Sequence, residues 1–428
     1  MIKFTPEQVS DYIAAAGRNA WVIDGLPSGL TRRPINKVGV IGAGTMGGGI
    51  SMNFATVGID VQIVETKQDA LDRGLNTVRG HYQRSADKGR YPQDEVEARM
   101  SRLHGTLDME ALADCDLVIE AVFEDMDLKR SIFSRLDKIM KPGAILATNT
   151  SYLNIDEIAA ATSRPEDVIG LHFFSPANVM KLLEIVRADK TADDVIATCM
   201  ELARTINKVA TLVGVCPGFV GNRILSARRL QSMELLNEGA MPWDVDAALN
   251  DFGFRMGPFQ MSDLAGLDIG WKKGGKTANP IRDALCELDR RGQKTRAGYY
   301  DYGDDRKPVP SDVTADIVRQ VTGISDGTPP SAEEIVARCI HPMIDESLKI
   351  LEESKAQRAT DIDIIWLNGY GWPADKGGPM LYGDMIGADK VLATMEKVGA
   401  QNERFAPSKT LRRLAAEGGR FTEVQPGG

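Results

Sequence analysis

Histidine and cysteine are scarce in this chain of 428 residues, at four and five copies. The cysteines (Cys115, Cys199, Cys216, Cys286, Cys339) stand far apart and form no C-x-x-C pair. That spacing argues against a disulfide framework and a thiolate metal site, and for free thiols in a reducing compartment, here expected to be cytoplasmic. Four histidines leave little material for a metal cluster, so no metal is expected. Basic residues do not outnumber acidic ones: 51 stand against 60, a net charge of −9. Nothing electrostatic therefore favours nucleic acid or an anionic membrane as a partner. No apolar run approaches the about 20 residues of a membrane-spanning helix. The opening MIKFTPEQVSDYIAAAG lacks the apolar core of a secretory signal, and the ending Gln425-Pro426-Gly427-Gly428 is not a peroxisomal S-K-L address. What remains is an ordinary globular composition, 43% hydrophobic and 26% charged. The length suits two or three domains.

The most informative stretch is Val38 to Glu65. An apolar run, Val38 to Ile41, reads as a buried parallel strand and enters Gly42-Ala43-Gly44-Thr45-Met46-Gly47, a G-x-G-x-x-G turn. Helical spacing follows through Ile50, Phe54 and Val57, and a second apolar run, Val61 to Val64, ends on Glu65. This order of strand, glycine turn, helix, strand and acid is the dinucleotide-binding fingerprint. Gly42 permits the tight turn, Gly44 lets backbone approach a pyrophosphate, and Gly47 lets helix and strand pack. Thr45 and Met46 open the helix, whose N–H groups and positive dipole end face the phosphates. Glu65 stands 21 residues beyond Gly44, placed to accept ribose hydroxyls and repel a 2′-phosphate. The cofactor expected is NAD.

Around this unit the chain divides readily. Thr5-Pro6-Glu7-Gln8 has the form of a capping box, so a short helix to about Ala20 is expected, then a linker from Asp24 to Pro34 containing Ser28. Residues 67–102 read as two polar helices. Strands are expected at Asp116–Glu120, Gly143–Ala147, Val168–Phe174, Leu182–Val186 and Val209–Val213, with helices through about Ile139 and over 192–206. Beyond Phe219 the pattern is helical and repeats. Asp244-Val245-Asp246, Gly253-Phe254, Gly257-Pro258-Phe259 and Asp263 return as Asp361-Ile362-Asp363, Gly371-Trp372, Gly378-Pro379-Met380 and Asp384, the offset growing from 117 to 121. The expected fold is an α/β Rossmann-type NAD-binding domain followed by an all-α region of two related halves. The domains are read as an N-terminal helix and linker (1–33), the Rossmann domain (34–214), and helical halves at 215–310 and 330–428, joined by the Pro-, Asp- and Gly-rich Asp304–Pro330.

Several residues carry chemistry. His172 and Glu184 lie on consecutive strands with their midpoint near Asn178. If the strands run antiparallel, the two side chains face one another, and the carboxylate would hold the imidazole basic. Ser151 sits at a strand tip on the cofactor edge, Asn222 at the start of the helical region, and Glu124 and Lys129 after the Ile119-Glu120 strand end. Each has a plainer reading alone: a packed histidine, a turn or cap residue for Ser151 and Asn222, helix-start charges for Glu124 and Lys129.

Together these segments resemble the L-3-hydroxyacyl-CoA dehydrogenase family. The resemblance is carried by IGAGTMGGGI (41–50), VIEAVFEDMDLK (118–129), ATNTSYLNI (147–155), GLHFFSPANVMKLLEIV (170–186), CPGFVGNRI (216–224) and FGFRMGPFQMSDLAGLDIG (252–270). GQKTRAGYYDY (292–302) and LNGYGWPADKGGPMLY (367–382) look like the second half of the dehydrogenase part of multifunctional fatty-acid β-oxidation enzymes. The resemblance implies NAD-dependent oxidation of a (3S)-hydroxyacyl-CoA to the 3-ketoacyl-CoA. It implies His172 as general base, Glu184 as its partner, Ser151 and Asn222 on the substrate, and Glu124, Lys129, Ser175 and Lys294 on the cofactor. Only 33 residues precede the dehydrogenase region, so a stand-alone enzyme without a hydratase domain is expected. The duplicated half is expected to replace a dimer partner, giving a monomer, with a homodimer as the alternative. The sequence departs from the family pattern at Ser175 (often Asn), Tyr152 (often small and polar), Glu65 (usually Asp) and Arg296-Ala297-Gly298 (usually more glycine). Two other classes share these features: a dehydrogenase of free 3-hydroxy or sugar acids, and a non-catalytic NAD-binding relative.

Overall fold

The computed structural model describes residues 2–27, 29–325 and 328–427. Ser28 of the expected linker, Asp326 and Gly327 of the expected connection, and the terminal Gly428 lie outside the described residues. The chain divides into two compact units. One takes Ser10–Arg223, which includes most of the first helix, with Ile350–Tyr370 and the residues from Val424 on; the other takes Ile224–Lys349 and Gly371–Glu423 with the residues up to Val9.

The first unit is built on an eight-stranded sheet in the order β3-β2-β1-β4-β5-β6-β7-β8. The strands are β1 (Lys37–Ile41), β2 (Asp60–Val64), β3 (Leu103–Thr106), β4 (Leu117–Glu120), β5 (Ile145–Thr148), β6 (Val168–Phe173), β7 (Leu182–Arg187) and β8 (Val209–Gly214). All neighbours pair parallel except β6 and β7. The continuous apolar runs of β1, β4 and β5 follow from burial on both faces of a parallel sheet. The helices of this unit are α1 (Pro6–Asn19), α2 (Thr45–Thr56), α3 (Gln68–Asp87), α4 (Asp94–Met100), α5 (Met126–Ile139), α6 (Ile155–Ala159) and α7 (Asp193–Thr205). The capping box at α1 is present: Thr5 N–H donates to Gln8 and Gln8 N–H to the Thr5 hydroxyl.

Strand order reverses between β1 and β4, and ligands bind at such a switch point, beyond the carboxyl ends. Residues 67–102 contain α3 and α4 as expected. Edge strand β3 was not expected, because Leu103-His104-Gly105-Thr106 offers a single apolar residue. Gly105 lets it pack closely: a Cβ there would stand 3.0 Å from the Leu71 methyls on α3.

The helical region continues with α8 (Gly221–Asn237), α9 (Pro242–Phe252), α10 (Pro258–Ala265), α11 (Pro280–Glu287), α12 (Asp312–Thr322), α13 (Ala332–Glu352), α14 (Ala359–Gly369), α15 (Pro379–Ile386), α16 (Ala388–Gln401) and α17 (Lys409–Glu417). A small antiparallel hairpin, β9 (Tyr300–Tyr302) with β10 (Pro308–Pro310), begins inside the last residues of the expected first helical half. The repeat is visible in its polar anchors. Buried Asp263 accepts the N–H groups of Tyr299 and Tyr300 and the Tyr302 hydroxyl. Its counterpart Asp384 accepts the Phe421 N–H and the Thr422 hydroxyl. Asp246 accepts the N–H groups of Phe259 and Gln260 at the start of α10, and the Tyr300 hydroxyl. Burial pushes the Asp246 carboxyl up to about 6.

One element of the expected second half belongs to the sheet unit. Helix α14 packs on β7 and β8, where Gly369 abuts Leu182: a Cβ on Gly369 would lie 2.3 Å from a Leu182 methyl. On its other flank Ala16 and Ala20 of the N-terminal segment pack with Ile364, and the Tyr12 hydroxyl donates to Asp363. The N-terminal segment thus packs against α14. Asp263→Ala leaves two buried N–H groups and a phenol without their acceptor. It is expected to cost at least about 2 kcal/mol, and Asp384→Ala a similar amount, read as a fall in the denaturation midpoint with an unchanged slope.

Candidate active site

The cofactor edge begins where β1 turns into α2. Gly42 holds φ at +104°. A Cβ on Gly47 would fall 1.9 Å from the Gly42 carbonyl oxygen, whereas the space beside Gly44 is open to 4 Å. Gly44 and Thr45 are exposed, so the first turn of α2 offers backbone N–H groups and a positive dipole end to solvent. Met46 is partly buried against the sheet core, which leaves its backbone as the part facing the edge. The Glu65 carboxylate accepts the Ala43 N–H at 3.1 Å and the Thr66 N–H at 2.6 Å, binding the end of β2 to the glycine turn. Partial burial would raise its pKa, but these backbone donors outweigh that and hold it below the usual range. Gly44, Thr45, Glu65, Arg73, His81 and Asn178 contribute to a cleft of about 380 Å³. The open Gly44 backbone, the exposed helix start and the ionised, half-buried acid fit a dinucleotide with a free ribose 2′-hydroxyl.

The ends of β4 and β5 are organised by carboxylates. Glu120, fully buried, pairs with the Lys129 ammonium at 2.7 Å and accepts the Thr148 hydroxyl at 2.7 Å and the Val122 N–H at 2.8 Å. Lys129 is 1% exposed, and its ammonium also lies 3.7 Å from Glu124. Lys129 thus pairs with Glu120 beneath the edge. Glu124 is equally committed. One oxygen accepts the Thr150 hydroxyl at 2.6 Å and the N–H groups of Ser151 and Tyr152 at 2.9 and 3.0 Å. Glu124 thus shapes the loop that carries Ser151, while its other oxygen lies 3.7 Å from the Lys129 ammonium. The cap of α5 is Asp125 and that of α6 is Asn154, so Ser151 lies in the bend ahead of the cap and Glu124 stands just before the start of α5. Sequence reasoning did not single out Glu120, although a lone acid closing an apolar strand was its signal.

His172 and Glu184 are direct register partners on antiparallel β6 and β7. The His172 Nδ1 lies 2.8 Å from Glu184 Oε2, and both side chains are buried. Glu184 Oε1 accepts the Gly221 N–H at 2.8 Å, at the start of α8. With Nδ1–H donating to the carboxylate, Nε2 carries the free lone pair. The ring rests against Phe174 and Phe219, with centroids 4.4 and 5.5 Å away. Asn222 follows Gly221 and accepts a hydrogen bond on Oδ1 from the Tyr370 hydroxyl at 2.9 Å, so it too is no simple helix cap. Tyr370 was quoted within LNGYGWP but not singled out.

The structure thus brings Gly42, Gly44, Thr45, Met46, Gly47, Glu65, Glu124, Lys129, Ser151, His172, Ser175, Glu184 and Asn222 into the sheet unit. Ser175 is exposed just past β6. Lys294 belongs to the other unit, where it is ion-paired with Asp268. Among the described residues no group of three or more His, Cys, Asp or Glu is placed to hold a metal, and no helix is long and apolar enough to cross a membrane.

Residues 37–216 match the family model of the 3-hydroxyacyl-CoA dehydrogenase NAD binding domain. The model of its C-terminal domain matches twice, over 218–302 and 335–425. The chain is 43% identical over 90% of its length to a peroxisomal bifunctional enzyme of Cavia porcellus, of which the match covers 57%. It spans about 57–60% of the length of the first such relatives. Among solved structures, 3-hydroxybutyryl-CoA dehydrogenase from Escherichia coli superposes with a TM-score of 0.75 at 26% identity, covering 90% of this chain and 98% of that one. The dehydrogenase part of multifunctional enzyme 1 from C. elegans gives 0.66 at 30% identity, covering 94% and 96%.

The expected cytoplasmic setting does not stand, since curated relatives are named peroxisomal or glyoxysomal enzymes. The five cysteines are buried and free, and free thiols do not distinguish one reducing compartment from another. Glu65→Ala removes the acid at the end of β2 that is expected to accept the ribose hydroxyls. NAD affinity, followed by titration calorimetry, is expected to fall about ten- to hundred-fold, with a smaller loss for NADP. By these matches the chain belongs to the 3-hydroxyacyl-CoA dehydrogenase family, with NAD as its cofactor.

Proposed function

We propose that the chain oxidises (3S)-hydroxyacyl-CoA to 3-ketoacyl-CoA in a β-oxidation-type reaction, with His172 as general base. The observation that carries this reading is the buried His172–Glu184 pair at 2.8 Å, with Glu184 also held by the Gly221 N–H. When bound, NAD supplies the acceptor for the C3 hydride. His172 Nε2 takes the hydroxyl proton as the hydride leaves carbon. The imidazolium that forms is stabilised by Glu184, whose charge is already in place and needs no reorganisation. Ser151, on the loop clamped by Glu124, and Asn222, at the start of α8, hydrogen-bond the substrate at its hydroxyl and thioester carbonyl. Gly42, Gly44, Thr45, Met46, Gly47 and Glu65 bind NAD, with Glu124 and Ser175 at the edge. In the reverse direction the same groups deliver the proton to the ketone.

The two matches of the C-terminal family model support reading the chain as the Rossmann domain (34–214) and two helical halves (215–310 and 330–428). We read the second half as standing where a dimer partner would, which makes the protein a monomer. Light scattering at the mass of two chains would overturn that point.

The first assay is NADH oxidation with acetoacetyl-CoA, with a longer 3-ketoacyl-CoA, and with the free 3-keto acids. Activity on the CoA esters alone supports the assignment, while activity on the acids alone moves it to a free-acid dehydrogenase. His172→Ala is expected to lower kcat about 10²–10⁴-fold with NAD binding within about two-fold of wild type. Loss of NAD binding together with turnover would remove His172 from the base role.

A further inference from the structure

Tyr370 closes α14, an element of the repeated helical half that packs in the sheet unit. Its hydroxyl donates to Asn222 Oδ1 at 2.9 Å. Its ring stacks on Trp366 with centroids 4.5 Å apart and meets Phe174 edge-on at 5.4 Å. Phe174 in turn lies 4.4 Å from the His172 ring. The approach requires Gly221: a Cβ there would fall 2.4 Å from the Tyr370 ring and hydroxyl. Gly221 is also the residue whose N–H holds Glu184. One circuit therefore runs from His172 through Glu184, Gly221, Asn222, Tyr370 and Phe174 back to His172.

We propose that Tyr370 is a positioning residue of this active site, fixing the Asn222 amide so that its Nδ2 amine faces the substrate. This rests on the reading above, in which Asn222 contacts a substrate oxygen. A primary amide presents two nearly isosteric ends, an acceptor oxygen and a donor amine, and a pocket has to choose between them. The thioester carbonyl is an acceptor, and so is the 3-oxygen as it becomes a ketone, so only the amine end serves. A phenol can donate or accept, and here the Tyr370 hydroxyl donates to Oδ1 and so claims the oxygen end. No other hydrogen bond joins the Asn222 side chain among the described residues.

The internal repeat sharpens the point. Aligned on Gly253-Phe254 and Gly371-Trp372, Tyr370 corresponds to Phe252 of the first half. Phe252 is a packed ring among Phe254, Trp372 and Tyr382. The ring is common to both halves. The hydroxyl occurs only where it meets Asn222.

Tyr370→Phe keeps the ring and restores the residue of the first half. With NADH and acetoacetyl-CoA, kcat is expected to fall about five- to ten-fold, the loss of one hydrogen bond acting in the transition state. KM for acetoacetyl-CoA should change less than kcat, with NADH affinity and Tm near wild type. Single-turnover rates of Asn222→Ala, with and without Tyr370→Phe, complete a double-mutant cycle. No further loss on adding Tyr370→Phe to Asn222→Ala supports the proposal. A wild-type rate for Tyr370→Phe, or losses that multiply, overturns it, because a merely structural tyrosine acts independently of Asn222. If the wild-type protein reduces only the free 3-keto acid, the CoA reading fails and the same cycle on that acid decides the role of Tyr370. A protein inactive on both overturns the two together.

Discussion

Everything in the proposed site hangs on one buried carboxylate. Glu184 is fully buried, and a charge withdrawn from water is tolerated only where hydrogen bonds and an opposing charge meet it. One oxygen faces His172 and the other takes the Gly221 N–H. With Nδ1–H donating to it, the first contact leaves the free lone pair on Nε2. The second ties the start of α8 to the sheet, and with it the neighbouring Asn222. Both need His172 and Glu184 to be opposite each other on antiparallel strands. A slip of one residue would turn His172 to the other face of the sheet.

The same logic sorts the acids of the cofactor edge. Glu120 is buried and spends its oxygens on Lys129, Thr148 and Val122, so it shapes the β4–β5 edge. Glu124 is partly exposed and holds the Ser151 loop through one oxygen. Glu65 is half-buried, kept ionised by backbone donors, and fit to meet a ribose. These are three glutamates of identical chemistry. Burial and the partners each oxygen meets decide which one organises backbone and which one faces a cofactor.

Duplication gave the helical region a common polar skeleton with different outcomes. Asp263 and Asp384 serve as buried acceptors for a later segment of their own halves, which preserves the local fold of each. The halves diverge at Phe252 and Tyr370, and α14 packs beside β7 and β8 because Gly369 carries no side chain to strike Leu182. A repeat that begins as packing thereby contributes a hydroxyl to Asn222.

Sequence by itself determined what depends on neighbours along the chain. The glycine turn with Glu65 after it, the parallel apolar strands, the capping box at Thr5–Gln8 and the duplicated Asp and Gly-Pro positions all follow from local periodicity and backbone sterics. Even the facing of His172 and Glu184 was legible, because a hairpin pairs residues symmetrically about its bend. Tertiary structure decided what depends on which distant groups fill a given space. Strand β3 exists because the sheet edge and Gly105 accept it, not because Leu103–Thr106 is strongly apolar. Lys129 lies beneath the edge because Glu120 is buried there, and Lys294 stands with Asp268 in the other unit. Tyr370 reaches Asn222 from 148 residues away. No spacing rule encodes such contacts, since burial and hydrogen-bond partners are properties of the packed chain.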